Sequence, residues 1–511
     1  MSARAVNQIW DVVIIGGGPV GVFAANLLGR EGLTVRVIER DVAPYGLPRA
    51  VHIDHEMVRL FADAGLAEPL VPLMRAGDGH IHIGADRGVI RYLSAADQPR
   101  PFGHANDYFF YQPELEAILR TGLARFPKVR LDLGLAVERL ERDCEGVTLA
   151  LSNGPECRAR WVIGCDGARS TTRRAMGVGL IDFVFDEPWL VVDAEVDGPM
   201  LFPPLSGVPE GANLQNLSCM MCDPARPTTI VPGRGRHRRW EFMLLPGEDE
   251  TALSEPAGVA ALIAPWVGEA RHQIIRAATY RFHGLVAKDW RVGRVLLAGD
   301  AAHQTPPFFG QGLCHGLRDA AALAWRLALV KAGRAGEGLL DSYQTERCAQ
   351  VHHVIGAAIA AGRYICELDP AKAAERDVRV RAQPGPRTAA ELIAPLASAA
   401  IAPGAGERFI NPAMAFGRSL DDITGGGWRL LTWGVSASPR TLHFLAGIGG
   451  REVDAAQLAD TEGHLSRWFA AKGASFALIR PDFYLAAAAG DAADLDAQLT
   501  ALSGGMALAA T

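Results

Sequence analysis

No stretch of the 511 residues is apolar for long enough to span a bilayer. The opening segment MSARAVNQIWD has no hydrophobic run of the secretory type, so no signal peptide and no membrane partner are expected. Lysine and arginine form no long run and the formal charge is −6, which argues against nucleic acid or an acidic lipid surface as a partner. Cysteine is sparse and scattered, at 144, 157, 165, 219, 222, 314, 348 and 366, with none beyond Cys366. Only Cys219 and Cys222 form a CxxC. A zinc site needs a second pair or histidines at ligand spacing, and here Asp223-Pro224 follows, so the pair reads as sheet and no metal is expected. Scattered thiols without a disulfide pattern fit a reducing, cytoplasmic setting. What is present is a core-rich globular chain, 49% hydrophobic and 21% charged, with a mean hydropathy of +0.09. Its length implies two or three domains.

The strongest signal lies in residues 11–40, DVVIIGGGPVGVFAANLLGREGLTVRVIER. Val12 to Ile15 run into Gly16-x-Gly18-x-x-Gly21, an alanine- and leucine-rich helix follows, and Thr34 to Ile38 form a second strand ending in Glu39. Such glycines let the backbone approach a pyrophosphate at a helix N-terminus, where free N–H groups and the helix dipole favour negative charge. Glu39 falls where an acid meets a ribose hydroxyl. No second GxGxxG occurs in strand–helix context, so a second nucleotide has no such site of its own.

Farther along, His55 to Gly65 and the stretch from Gln112-Pro113-Glu114 to Leu123 have helical spacing. Segments near 131–140 and 146–151 alternate like hairpin strands, and Trp189 to about 285 has a period of two, broken near 257–266 by a helix. Two further landmarks end in Gly-Asp or Asp-Gly turns. WVIGCDGARSTTRRAMG covers 161–177, and RVGRVLLAGDAAHQTPPFFGQGLCHGLRDAAALAWRL covers 291–327, with a helix from near Gly312 continuing, with interruptions, to about 366. Residues 367–405 read as linker and short helix. From about 407 a compact α/β pattern has Trp428–Trp433, Thr441–Leu445 and Phe476–Ile479 as strands. A carboxylate at Asp300 can accept hydrogen bonds from sugar-chain hydroxyls, while Asp166 can order its loop or approach a pyrophosphate through water. Three distant loops suit a long ligand such as FAD better than NAD.

With GGGPVG, Cys165-Asp166-Gly167-Ala168-Arg169-Ser170 and GDAAHQTPPFFGQG followed by Arg318-Asp319-Ala320, the chain resembles the single-component flavoprotein aromatic hydroxylases, the family of para-hydroxybenzoate and phenol hydroxylases. Pro48-Arg49-Ala50, Tyr111-Gln112, Pro227-Thr228-Thr229 and Arg239-Trp240-Glu241-Phe242 bring it nearest to the 3-(3-hydroxyphenyl)propionate hydroxylases. The resemblance spans roughly residues 8–365. It implies an α/β fold in which a Rossmann-like FAD-binding domain (1–80, 105–186, 287–366) is interleaved with an antiparallel-sheet substrate domain (81–104, 187–286). The linker and helix at 367–405 then lead to a thioredoxin-like domain at 406–511, with Ile479-Arg480-Pro481-Asp482 as its best local match. Lacking cysteine, that domain is expected to pack or to dimerise, giving a homodimer, rather than to carry thiol chemistry.

The resemblance also implies roles. Gly16, Gly18, Pro19, Val20, Gly21, Glu39 and Arg40 would take the adenosine and pyrophosphate of FAD. Arg49 and Gln112 would take the FAD phosphate or ribityl region, Asp300 with Gly299 the ribityl chain, and Asp166 would serve both FAD and NAD(P)H. Pro307, Gly310, Gly312, Leu313 and Cys314 would face the flavin edge, and Pro306 and Pro307 would lie between flavin and substrate. NADH or NADPH would reduce the flavin in a transient encounter. Oxygen would add at C4a, and an electron-rich phenol would attack the hydroperoxide's distal oxygen, with water excluded. His52, where relatives often have glycine, and His315, where small residues are common, are candidates for substrate contact or phenol deprotonation, since histidine titrates near neutrality; packing or surface histidine is the competing reading. Arg239 reads by default as part of a solvated basic cluster, and by resemblance as a contact to substrate or flavin. The expected substrate is a small phenol such as 3-hydroxyphenylpropionate; a larger polycyclic phenol or antibiotic, or an FAD-dependent dehydrogenase, are the rivals.

Overall fold

The computed structural model describes residues 8–96, 98–383 and 392–509. Its first sheet runs in the order Arg291–Val292, Val295–Leu297, Cys157–Gly164, Ile9–Ile15, Val35–Glu39, Val129–Leu133. Ile9–Ile15 pairs in parallel with both neighbours. Val12, Val13 and Ile14 are fully buried, as a central strand covered on both faces requires. The helix Pro19–Arg30 follows, with proline in its first turn. The strand Val147–Leu151 forms a hairpin with Val137–Arg142 and also pairs with the N-terminal part of Cys157–Gly164. Val129–Leu133, expected in a hairpin, instead joins the parallel sheet beside Val35–Glu39.

The second sheet is ordered His303–Gln304, His272–Ala287, Leu180–Val196, His237–Met243, Thr228–Val231, Leu217–Met221, Gly79–Ile83, Val89–Ser94. All its pairings are antiparallel except that of Leu217–Met221 with Gly79–Ile83. The sheet begins earlier than its period-two signal, because a register shift between Asp182 and Asp186 breaks the alternation in Leu180–Val196. Cross-strand register places three rows of side chains on its inner face. One row holds His80, Ser218, Arg239, Asp193 and Arg276; the next holds His82, Met220, Thr229, Glu241, Val191 and Ala278; a third holds Met243, Trp189 and Tyr280. Trp240 and Phe242 point the other way, into a core shared with the helix Pro256–Val267. Cys219 belongs to that outer core and Cys222 to the inner one, so the CxxC cannot act as one ligand pair.

The long helix Gly312–Lys331 packs along Pro19–Arg30, and Asp341–Ile365 follows it. Part of the expected linker, 384–391, lies outside the described residues; the part before it contains the helix Pro370–Ala382. The last unit is a four-stranded sheet ordered Arg451–Asp454, Arg429–Thr432, Phe476–Ile479, Leu485–Ala489, with its first pair parallel and the rest antiparallel. Thr441–Leu445, expected as a strand, lies within the helix Pro439–Ile448. Ser438 caps its N-terminus, Gly449 ends it in the left-handed conformation, and the buried positions 441, 444, 445 and 448 follow the helical period. Among the described residues no helix is long and apolar enough to cross a membrane.

Candidate active site

The glycine turn is built by contact. A Cβ on Gly16, at φ +107°, would lie 2.4 Å from the carbonyl oxygen of Cys165, and one on Gly21 would lie 2.1 Å from that of Gly16. Gly18 is different: a Cβ there would meet nothing within 4 Å, and no side chain caps the helix it opens. The first and third glycines serve chain packing, and the middle one leaves the helix N-terminus open to an anion. Glu39 is held against this turn, its carboxylate accepting from Gly17 N at 2.7 Å and from Asp41 N at 2.9 Å. Arg40 is largely exposed at the strand end. Val20 packs on Gly299 and Gly316, where added Cβ atoms would approach it to 3.2 and 2.5 Å.

Gly299 adopts φ +61° and donates its N–H to Asp319 at 3.0 Å; Asp319 also accepts from His303 at 2.6 Å and Arg347 at 2.9 Å. The turn is thus fixed from behind by the helix Gly312–Lys331. Next to it, Asp300 is crowded by protein, which raises its carboxyl above the usual range despite His303 and Arg49. Yet its side chain is exposed, and among the described residues it makes no hydrogen bond. Its carboxylate is therefore free at the end of the buried strand Val295–Leu297. Asp166 is the reverse case. It accepts from the Ser170, Thr171 and Thr172 hydroxyls and from Thr172 N, and so is committed to ordering its own loop.

Gln112 Oε1 accepts from Arg49 N at 3.2 Å and Ala50 N at 2.7 Å, fixing the loop whose Arg49 side chain is exposed over the Tyr45 ring. Arg239 is not in a solvated cluster. It is 5% exposed, bonded to both oxygens of Asp193 at 2.9 Å, and donates to the carbonyls of Pro48 and Arg49. The alternation of the strand, which turns 237, 239 and 241 inward, buries what a run of basic residues suggested was solvated.

The Pro307–Phe309 turn ends at Gly310, in the left-handed conformation at φ +63°, where a Cβ would strike the His52 ring at 2.6 Å. Pro306 is buried and Pro307 half-buried; Gly312 and Leu313 open the next helix, and the thiol of Cys314 is buried and pushed up by burial. His52 is buried with Nε2 2.7 Å from Asp107, while its Nδ1 lies 3.5 Å from Gly310 O. Burial alone would lower the pKa of His52, but Asp107 and Asp54 overcome it and the net shift is upward. His80 stands beside it, ring centroids 5.8 Å apart, both ring nitrogens buried without a partner, its pKa lowered to about 4 by burial. His52, His80 and Asp107 bring ligand-type atoms within 4.8 Å of one another, but the short hydrogen bond makes His52 and Asp107 a self-satisfied dyad. His315 lies elsewhere. It is fully buried on the far side of the helix, its Nδ1 3.1 Å from Arg347, and burial and nearby cations hold it well below the usual histidine range.

Sequence reasoning missed Asp107 and His80, which belong to no motif: Asp107 reaches His52 through the pairing of strands His52–Asp54 and Asp107–Phe109, and His80 meets it by ring contact from a different sheet. It quoted Arg318 and Asp319 without a role. Arg318 bonds Asp54, Glu56 and Gln311, and Asp54 caps the helix His55–Asp63 that follows His52.

A carboxylate without a hydrogen-bond partner, an uncapped helix N-terminus and a Gly18 clear of protein fit a long dinucleotide. The chain belongs to the FAD binding domain family, whose model matches residues 10–358; residues 406–505 match the HcaD C-terminal domain. A probable NADH-specific resorcinol 4-hydroxylase of Rhodococcus jostii (strain RHA1) is 34% identical, covering 95% of this chain and 93% of that protein. A 3-(3-hydroxy-phenyl)propionate/3-hydroxycinnamic acid hydroxylase of Klebsiella pneumoniae (strain 342) is 33% identical, covering 99% and 96%. Among solved structures, OxyS anhydrotetracycline hydroxylase from Streptomyces rimosus superposes with a TM-score of 0.78 at 25% identity, covering 98% of this chain and all of that one. Aklavinone-11 hydroxylase in complex with FAD and aklavinone gives 0.76 at 24%, covering 97% and 99%.

Proposed function

We propose that this protein is an FAD-dependent, NADH-consuming monooxygenase that hydroxylates a phenolic ring. The observation that carries the reading is Asp300, an exposed carboxylate without a hydrogen-bond partner, one residue from Gly299, which packs on Val20 at the uncapped N-terminus of Pro19–Arg30. In this reading, Gly16, Gly18, Pro19, Val20, Gly21, Glu39 and Arg40 hold the adenosine and pyrophosphate. Arg49, Gln112, Gly299 and Asp300 hold the middle of the cofactor, and Pro307, Gly310, Gly312, Leu313 and Cys314 border its ring. Bound FAD supplies hydride acceptance and oxygen activation. The chain supplies position, dryness and proton handling. Asp107 holds Nε2 of His52, leaving the loosely held Nδ1 to take the phenol proton. Pro306 and Phe308 shield the site. Arg239 positions the Pro48–Arg49 loop, Asp166 orders its own, and His315 belongs to the network behind Gly299.

The reading divides the chain into an FAD-binding domain (1–80, 105–186, 287–366), a substrate domain (81–104, 187–286), a linker and a C-terminal unit. The β-α-β-α-β-β-α order of that last unit supports a thioredoxin-like assignment with a packing or homodimer role. Eight unpaired cysteines support a cytoplasmic setting. The test is oxygen uptake against peroxide release over a panel of phenol, resorcinol, 3-hydroxyphenylpropionate and a polycyclic phenol, with NADH and NADPH compared. Oxygen uptake with a hydroxylated product and little peroxide supports the reading. Flavin reduction by a substrate without NADH would replace it with a dehydrogenase.

A further inference from the structure

Two of the segments that mark the subfamily, Pro227-Thr228-Thr229 and Arg239-Trp240-Glu241-Phe242, meet on the inner sheet face at Thr229 and Glu241. Thr229 and Glu241 are directly opposite each other on neighbouring strands, in the middle row of the inner face. The rows on either side are covered by different parts of the FAD-binding domain. On one side Arg239 and Arg276 bond the Pro48–Arg49 backbone, and His80 meets His52. On the other, Trp189 packs on Phe308 of the Pro306-Pro307 loop, ring centroids 5.9 Å apart. The middle row therefore lies between the His52 side and the proline loop, where the phenol must sit.

That row is also polar and unsatisfied. Thr229 Oγ1 is buried and makes no hydrogen bond. Glu241 is 7% exposed and likewise makes none among the described residues; the nearest cationic atom is Arg239 Nη1 at 4.0 Å. His82, in the same row, leaves Nε2 without a partner, and Thr305 Oγ1 on the loop opposite is also unpartnered. A buried polar group left unsatisfied costs about 1–3 kcal/mol, so several on one face point to a ligand that completes them. The row holds an acid, a hydroxyl and a neutral histidine, and the arginines of the adjoining row are already engaged by Asp193 and by backbone carbonyls. These groups suit ring hydroxyls and disfavour a carboxylate.

We infer that Thr229 and Glu241 receive a ring hydroxyl of the substrate, selecting an uncharged, multiply hydroxylated benzene over an aryl carboxylate; this rests on the phenol hydroxylase reading. The experiment titrates FAD-loaded wild type, Glu241→Gln and Thr229→Val with resorcinol, phenol and 3-hydroxyphenylpropionate, reading Kd from the flavin absorbance change. FAD content and thermal midpoint serve as folding controls. Wild type is expected to bind resorcinol more tightly than either other ligand. Glu241→Gln should weaken resorcinol by about 10- to 100-fold, the range of a hydrogen bond to a charged group, and Thr229→Val by about 3- to 10-fold, the range of a neutral one, while phenol weakens by less than about twofold. Thr229→Val decides alone if Glu241→Gln does not fold. A wild type that prefers 3-hydroxyphenylpropionate, or variants that keep the resorcinol-to-phenol ratio, would overturn the assignment while leaving the hydroxylase reading standing. A wild type that binds none of the three, and whose flavin NADH reduces no faster in their presence, would remove the reading beneath it.

Discussion

Two buried glutamates of this chain sit in opposite circumstances. Glu346, on the helix Asp341–Ile365, lies between Arg326 at 2.7 Å and Arg480 at 2.9 Å, accepts from Ser398 at 2.6 Å, and is held down to about 2 by those cations, against a burial effect that alone would raise it. Glu241, on the inner sheet face, has no hydrogen-bond partner and is pushed up to about 7 by burial. The first belongs to the junction where the C-terminal unit meets the FAD-binding domain. Asp482 completes that cluster, and a second one joins Tyr484, Arg408, Glu56 and Arg318. Where charges are fully paired the chain is fastening its own parts together. Where a carboxylate has no hydrogen-bond partner, as at Glu241, 4.0 Å from Arg239, and at Asp300, the face is proposed to receive a ligand.

Breaking the paired side should have the largest effect. Glu346→Ala leaves two buried guanidinium groups short of an anion and is expected to cost about 3–5 kcal/mol in denaturant unfolding. Because the carboxyl of Glu346 is depressed in the folded state, its stabilisation is complete above its ordinary value near 4.5 and is lost as pH falls toward about 2. Wild type should therefore lose a stabilising increment in acid that the variant does not. Asp300→Ala comes next. It should fold as wild type but retain FAD about 10- to 100-fold more weakly, measured by cofactor dialysis. Asp107→Asn is expected to be milder. The negative charge of Asp107 raises His52, and a base must be unprotonated, so the acid limb of kcat/KM should move to lower pH. The smallest effect on stability belongs to Glu241→Gln. A carboxyl raised in the folded state contributes stability below about 4.5 that is lost as pH rises through about 7. The variant should match wild type within about 1 kcal/mol near pH 5 and overtake it slightly at pH 8 in the same unfolding assay.

Much of the cofactor side was legible in the sequence because it is local. Strand, glycines, helix and acid lie within residues 11–40, and Gly299-Asp300 directly ends a buried strand. The proposed substrate side was not, because it is assembled by contacts over long separations. Asp107 reaches His52 across 55 residues, and Arg239 reaches Asp193 across 46 and Pro48 across 191. Arg239 looked solvated beside Arg236 and Arg238 until strand alternation turned it inward. His315 looked available because it follows Cys314 at the start of a helix, but the helix carries it behind the site rather than over it. In the C-terminal unit, Thr441–Leu445 has the composition of a strand, and only the cap at Ser438 and the buried period through Ile448 identify the helix.

Anaerobic stopped-flow reduction of the FAD-loaded protein by NADH, with and without a phenol, tests the account most directly. If the inner sheet face is a phenol site over the flavin, reduction should accelerate strongly when resorcinol is present and be slow without it. Reduction that proceeds at one rate regardless of any phenol, or that a phenol drives without NADH, would contradict the account.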